Sequence, residues 1–216
     1  MGSRYRLPPG ALLRIGTVSG SVRVIAEDRD DLEVEPPDRR VEIVDGGRVA
    51  ETRSRSGSLL VRCPTGTHVS VGAISGSISL EGHFGSAKVS TVSGHIQVDS
   101  VSGDVDVRSV SGHLSVNKCG GRCHLNTKSG HISVGQVAKE ARASTISGSV
   151  ELGTEGREDV HVRTISGRVV VRVAQGKHPH PRVRTLSGRV SCDCPQGSDF
   201  DIKASTLSGS VTITER

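Results

Sequence analysis

The sequence has no tryptophan, one tyrosine and two phenylalanines, so aromatics make up 1% of its 216 residues. That scarcity excludes an ordinary globular core and leaves few platforms on which sugars could stack. Small and β-branched side chains must fill the interior instead, which suits a thin one. Long apolar runs are missing too. Ala11-Leu12-Leu13 is too short for the hydrophobic part of a signal peptide, and no run approaches a membrane span, so a cytoplasmic protein is expected.

Cysteine is sparse. Five residues, an odd number at unlike spacings, make no disulfide framework, and a reduced compartment fits them best. Cys119-x3-Cys123 and Cys192-x-Cys194 lie too far apart along the repeat described next to share one four-Cys metal site. His178 and His180 offer a weak loop pair at most. Only Asp104 and Asp106 match the glycine- and aspartate-rich nonapeptides that bind calcium, and they do so once, so calcium is rejected. No P-loop and no nucleophile motif is present. The sequence therefore assigns no catalytic residue, no metal and no cofactor, and an enzyme is not expected.

What the chain has in abundance is glycine, 27 residues, and a repeat. Residues 73–144 are four copies of an 18-residue unit, with Gly76, Gly94, Gly112 and Gly130 one period apart. Gly85, Gly103 and Gly121 fall midway. Later copies begin at Thr145, Thr164, Thr185 and Thr206, steps that stretch to 19, 21 and 21 residues. An earlier copy begins at Thr17. Self-similarity at a fixed period marks stacked coils.

Within the unit the apolar residues alternate, the period of a strand. The second position holds Ile74, Val92, Val110, Ile146, Ile165, Leu186 and Leu207. The sixth holds Ile78, Ile96, Leu114, Ile132, Val150, Val169, Val190 and Val211. The eighth runs from Leu80 to Ile213. The second half adds Val101, Cys119 and Val137, then Ala87, Val105, Cys123 and Ala141, then Val89, Val107, Leu125 and Ala143. Strands this short bury nothing alone. Coiling the chain and stacking coils about 4.8 Å apart would bury every column at once. The expected fold is an all-β, right-handed single-chain β-helix of 18-residue coils. Residues 1–72 form its irregular N-terminal cap and 73–216 its regular array. Lys128 interrupts the second column.

Along the lead-in, Pro8-Pro9-Gly10 reads as a turn and residues 17–35 as two strands that Pro36-Pro37 ends. Residues 38–62 read as hairpin-like strands turning at Asp45-Gly46-Gly47. Ala174–Arg184 is expected as an exposed loop. The last copy, TLSGSVTITER, has no segment after it to cover its edge. Self-association through that C-terminal end is expected, with Glu215 and Arg216 only partly guarding it.

The run LLVRCPTGTHVSVGAISGSISLEGHFGSAKVSTVSGHIQV and the recurring T-x-S-G-x-[IV]-x-V resemble the bacterial putative-adhesin β-strand-repeat family, whose function is unknown. The resemblance spans residues 10–213. It implies a single-chain β-helix and, for some relatives, a tie to the cell envelope or its stress responses. It offers no catalytic residues to carry over.

Two ladders remain as candidate sites. His95, His113 and His131 each follow the repeat glycine, and Arg168 and Arg189 continue that position. Arg163 and Arg184 precede the same motif. Net charge is +5, and residues 157–189 hold eight Lys or Arg against two acids. Stacked, these side chains form a stripe suited to an anionic polymer or an anionic membrane surface, held more tightly below about pH 6.5 as histidines protonate. The other ladder is the hydroxyl pair of T-x-S in successive copies, which would order water or ice if it faced outward. It serves the turns if it does not. The expected role is a non-enzymatic, adhesin-like interaction scaffold. A water-ordering protein and a polysaccharide-acting β-helix enzyme are the alternatives.

Overall fold

A computed structural model describes residues 3–8, 10–37, 39–195 and 197–215. Pro9 of the expected Pro8-Pro9-Gly10 turn and Arg216 of the C-terminal edge lie outside the described residues, as do Met1, Gly2, Asp38 and Gln196. The strands, in chain order, are β1 (Ser3–Arg6), β2 (Leu12–Ser19), β3 (Val22–Glu27), β4 (Asp31–Glu35), β5 (Val41–Val44) and β6 (Val49–Ser54). β7 (Leu59–Pro64), β8 (His68–Ser75), β9 (Ile78–Phe84), β10 (Ser86–Ser93) and β11 (Ile96–Val101) follow. Then come β12 (Val105–Cys119), β13 (Arg122–Val137), β14 (Glu140–Thr154), β15 (Asp159–Val173), β16 (His180–Ser187), β17 (Val190–Asp193) and β18 (Asp201–Glu215).

The fold is a β-solenoid. Coil lies on coil in parallel register, so that Ala87, Val105, Cys123 and Ala141 stand in one line. Ile96, Leu114, Ile132 and Val150 stand in another. All eight are buried. Each coil contributes only a few small side chains, and the core becomes continuous because every column meets its neighbour above and below.

The corner of each coil is the T-x-S-G segment. Gly112 has φ +142, and a Cβ there would come 1.9 Å from the carbonyl oxygen of Gly94 in the coil beneath. The close approach of successive coils at this corner therefore requires glycine. The Thr before it points inward. Thr91 Oγ1 donates to the Ser93 carbonyl at 3.3 Å and Thr127 Oγ1 to the Ser129 carbonyl at 3.1 Å, closing the corner locally.

Two expectations about facing change here. The second-position residues are not core. Ile74, Val92, Val110, Ile146, Ile165, Leu186 and Leu207 are all exposed, Leu186 at 81%. The buried Thr takes the inward place at the corner, and alternation then turns its successor outward. Lys128 is an exposed member of that outer row. The hydroxyl ladder is likewise not an outer face, because Thr17, Thr91, Thr127, Thr145, Thr164 and Thr206 are buried. Thr17, Thr91, Thr127 and Thr145 donate their hydroxyls to the corner carbonyls, and a water-ordering surface built on the buried threonines is ruled out.

The coils do not stack in sequence order at either end. β2–β3 lies between β8–β9 and β6–β7. β18 lies between β15 on one side and β16 and β17 on the other. The early coil β2–β3 and the last strand β18 are thus interior. The copy beginning at Thr206 does not form the free end as expected, and β16–β17 takes that place. Ala174–Arg184 is only partly a loop, since His180 onward is strand.

The two ends differ. Beyond β6–β7 the stack is covered by antiparallel strands: β5 pairs with β6 across the turn at Asp45–Gly47, β4 pairs with β7, and β1 pairs with β4. Beyond β16–β17 no described strand pairs.

Candidate functional site

The outward positions of the coils carry the candidate chemistry. After the corner glycine, His95, His113 and His131 do stack, with ring centroids 5.0 and 5.9 Å apart. His131 Nδ1 lies 2.6 Å from Ser149 Oγ, and the row continues through Arg168. It does not then pass to Arg189. Because β18 intervenes, Arg168 faces Ser210, and Arg189 lies on the far side of that serine. Arg163 and Arg184 are also separated by one coil, both facing Ser205. They stand before the corner and Arg168 and Arg189 after it. The seven residues therefore divide between two surfaces.

One surface gathers charge. Three residues before the corner Thr, successive coils place His124, Arg142, His161, Lys203 and Arg182 in a single row. One residue before the Thr, Arg163 and Arg184 flank Ser205 in the parallel row. Together they line a shallow depression of about 620 Å³, and none of its lining residues is acidic. Arg142 Nε donates to Glu140 at 2.7 Å and Lys203 Nζ lies 3.4 Å from Asp201 at the rim. Arg163, Arg182 and Arg184 have no carboxylate within ion-pair distance among the described residues. Like charges held this close repel one another, and a bound anion relieves that repulsion. The rim already registers the field. Burial pushes the Asp201 carboxyl up, yet the hydrogen bond from Lys203 and the charges of Arg182 and Lys203 hold it below its ordinary value.

This row was legible in the repeat: His124, Arg142, His161, Arg182 and Lys203 stand at the same offset in five consecutive copies. Attention to the position after the glycine hides it, and so does the coil order, which brings Lys203 next to His161.

A ridge borders the depression. Ile146, Ile165, Leu207 and Leu186 follow its basic residues along the same strands and point outward. A row of exposed aliphatic side chains beside a cationic groove presents an amphipathic face.

The nucleophile and metal candidates do not converge. Burial pushes the Cys63 thiol up to about 11. Burial first, then the hydrogen bond with Cys192, pushes Cys194 up to about 12. Thiols so placed stay protonated at neutral pH. Cys192 and Cys194 lie 3.3 Å apart, Sγ to Sγ, with no third His, Cys, Asp or Glu ligand beside them among the described residues. His178 and His180 pair with different carboxylates, Asp199 and Asp201, at 3.6 and 3.2 Å. Among the described residues no group of three or more His, Cys, Asp or Glu could hold a metal.

A solved structure shares this fold. A putative adhesin from Bacteroides fragilis, 14% identical, matches all of this chain and 96% of its own with a TM-score of 0.53. A putative adhesin from Parabacteroides distasonis, 12% identical, covers 100% and 96% of the two chains with a TM-score of 0.41. A putative cell adhesion protein from Clostridium sporogenes, 9% identical, covers 100% and 99% with a TM-score of 0.36. No curated protein matches the chain. The family model described as Toastrack DUF4097 matches residues 48–164, more than half of the chain and the stretch that holds the regular coils. The chain belongs to the Toastrack DUF4097 family, whose function is unknown.

Proposed function

We propose that the protein is a non-enzymatic, adhesin-like binding scaffold whose ligand is an extended polyanion seated in the basic depression. The observation that carries this reading is the lining itself: five arginine or lysine side chains and two histidines from five coils, with no acid among them. Rigid coils fix the spacing of those charges, so a polymer with regularly spaced carboxylates, sulfates or phosphates meets them without ordering a loop. The adhesin-like relatives support a binding role and name no ligand.

The test is retention on an immobilised polyanion at low salt and pH 6. Wild type should be retained and should elute with modest salt. The triple variant Arg163→Ser, Arg182→Ser, Arg184→Ser should pass through with an unchanged circular dichroism spectrum. Passage of wild type under the same conditions overturns the reading.

The apolar ridge favours a second reading, an anionic lipid surface. Its aliphatic side chains would enter the headgroup region while the arginines meet phosphate. Sedimentation with phosphatidylglycerol vesicles separates the two: the lipid reading requires that Ile165→Ser with Leu207→Ser lowers vesicle binding and leaves column retention alone.

A further inference from the structure

The end of the stack at β16–β17 repeats the coil pattern, but no described strand covers it. Val183 and Thr185 occupy the columns of Val162 and Thr164, which are 2% and 3% exposed, yet both are only half-buried. Val190, in the column of Val169 and Val211, is 45% exposed where those two are 0%.

The backbone is open as well. His180 donates its N–H to the Phe200 carbonyl at 2.8 Å, so the outward residues of β16 direct their main-chain groups at β18. Alternation then aims the N–H and C=O of Val183 and Thr185 away from the stack. Pro181, which has no N–H, stands on that same open side, where its loss costs nothing. Flanking the edge on the outer face are Arg182 and Arg184.

The opposite end shows what such an edge accepts. There β4, with the sequence DLEVE, lies antiparallel on β7. Its Leu32 and Val34 are fully buried against the core. Its outward acids meet arginine: Arg62 Nη1 donates to Glu35 Oε1 at 2.9 Å, and Arg62 also lies 3.7 Å from Glu33. One strand thus closes the columns with its apolar residues and neutralises the outer arginine with its acids. The β16 edge presents the same two features, an uncovered apolar column and outward arginines, and lacks the strand.

We infer that the open edge of β16 accepts, as an added β-strand, a segment of another polypeptide in which apolar and acidic residues alternate. Main-chain hydrogen bonds to Val183 and Thr185 supply the attachment, and the alternation supplies the specificity. A second copy of this chain is a poorer occupant, because twofold edge pairing would bring Arg182 and Arg184 of two molecules together. The proposal does not rest on the polyanion reading.

The experiment uses the full chain and a fluorescein-labelled peptide, DDLEVE, the protein's own residues 30–35. Two comparison peptides are used: LVDDEE, of equal charge without alternation, and KKLKVK, with alternation and opposite charge. DDLEVE should bind and slow amide exchange at Val183 and Thr185. LVDDEE should bind at least about tenfold more weakly, since it can use only charge. KKLKVK should not bind. Arg182→Glu with Arg184→Glu should weaken DDLEVE at least about tenfold, whereas Arg163→Ser, which removes charge from the depression alone, should leave it unchanged. Equal binding of DDLEVE and LVDDEE, absence of binding, or unchanged exchange at those amides overturns the proposal. So does protection of the same amides that rises with protein concentration in the absence of peptide, which assigns the edge to a second copy.

Discussion

The main-chain N–H of Val211 donates to the carbonyl oxygen of Arg189, 2.9 Å away, so the last strand of the chain lies beneath a coil that precedes it in sequence. This one relationship moves the free end of the stack from β18 to β16–β17. It also separates Arg168 from Arg189 and places Lys203 in the basic row.

It gives a paired expectation. Val211 is 0% exposed between two coils, whereas Val190 is 45% exposed on the last one. Val211→Asp buries an unpaired carboxylate and should cost several kcal/mol, on the order of 3 or more. Val190→Asp should cost less than about 1 kcal/mol. Urea unfolding of both variants decides, and the reverse ranking would restore sequence-order stacking.

The outer apolar row gives a second pair. Ile165 is 47% exposed and Ile132 is 0% exposed. Ile165→Ser should change stability by less than about 0.5 kcal/mol, and Ile132→Ser should lower it by about 3 kcal/mol or more. Similar losses in a thermal melt would put the second-position column back in the core.

The repeat made most of the fold legible. Period, alternation and β-branched columns fix the coils, and the buried lines through Cys123 and Leu114 are those the pattern selects. Two things were not legible. Thr is nearly isosteric with Val, so a hydrogen-bonded corner Thr can stand in a core column, and this alone turned Ile146 and Ile165 outward. Coil order depends on where the 174–179 and 194–200 connections cross, and equal repeats such as TLSG at residues 185 and 206 fit either slot.

The corner threonines are not equivalent. Thr127 Oγ1 donates to the Ser129 carbonyl at 3.1 Å, whereas Thr164 Oγ1 is buried without a partner among the described residues. Thr127→Val should cost about 1 kcal/mol. Thr164→Val keeps the shape and removes an unsatisfied hydroxyl, so it should be neutral or stabilising. Chemical denaturation of the two valine variants checks the difference.

The capped end should loosen in acid. Arg29 Nε donates to Asp31 at 2.7 Å and its Nη2 to Glu33 at 3.1 Å. These bonds outweigh the cost of burial and hold both carboxyls below their ordinary values. The folded state therefore keeps fewer protons than the unfolded one. The stabilisation is complete above the unfolded values, near pH 4, and is lost as pH falls through the lower folded values. Amide exchange in β1 and β4, corrected for intrinsic rates, should stay constant from about pH 7 to 5 and accelerate below about pH 4. Arg29→Met should shrink that step, leaving the smaller part that Arg4 and Arg62 sustain.

Anion binding confined to the depression differs from a general attraction to a chain of net charge +5. The direct measurement is the salt dependence of affinity for a linear polyphosphate of defined length, taken with two variants of equal charge. One carries Arg163→Ser, Arg182→Ser and Arg184→Ser. The other carries Arg14→Ser, Arg40→Ser and Arg55→Ser, three exposed arginines outside the depression. The account expects the first variant to lose at least about tenfold in affinity and to flatten the log–log salt slope by about 1 for each phosphate contact removed. The second should track wild type. Equal loss in both variants contradicts the account.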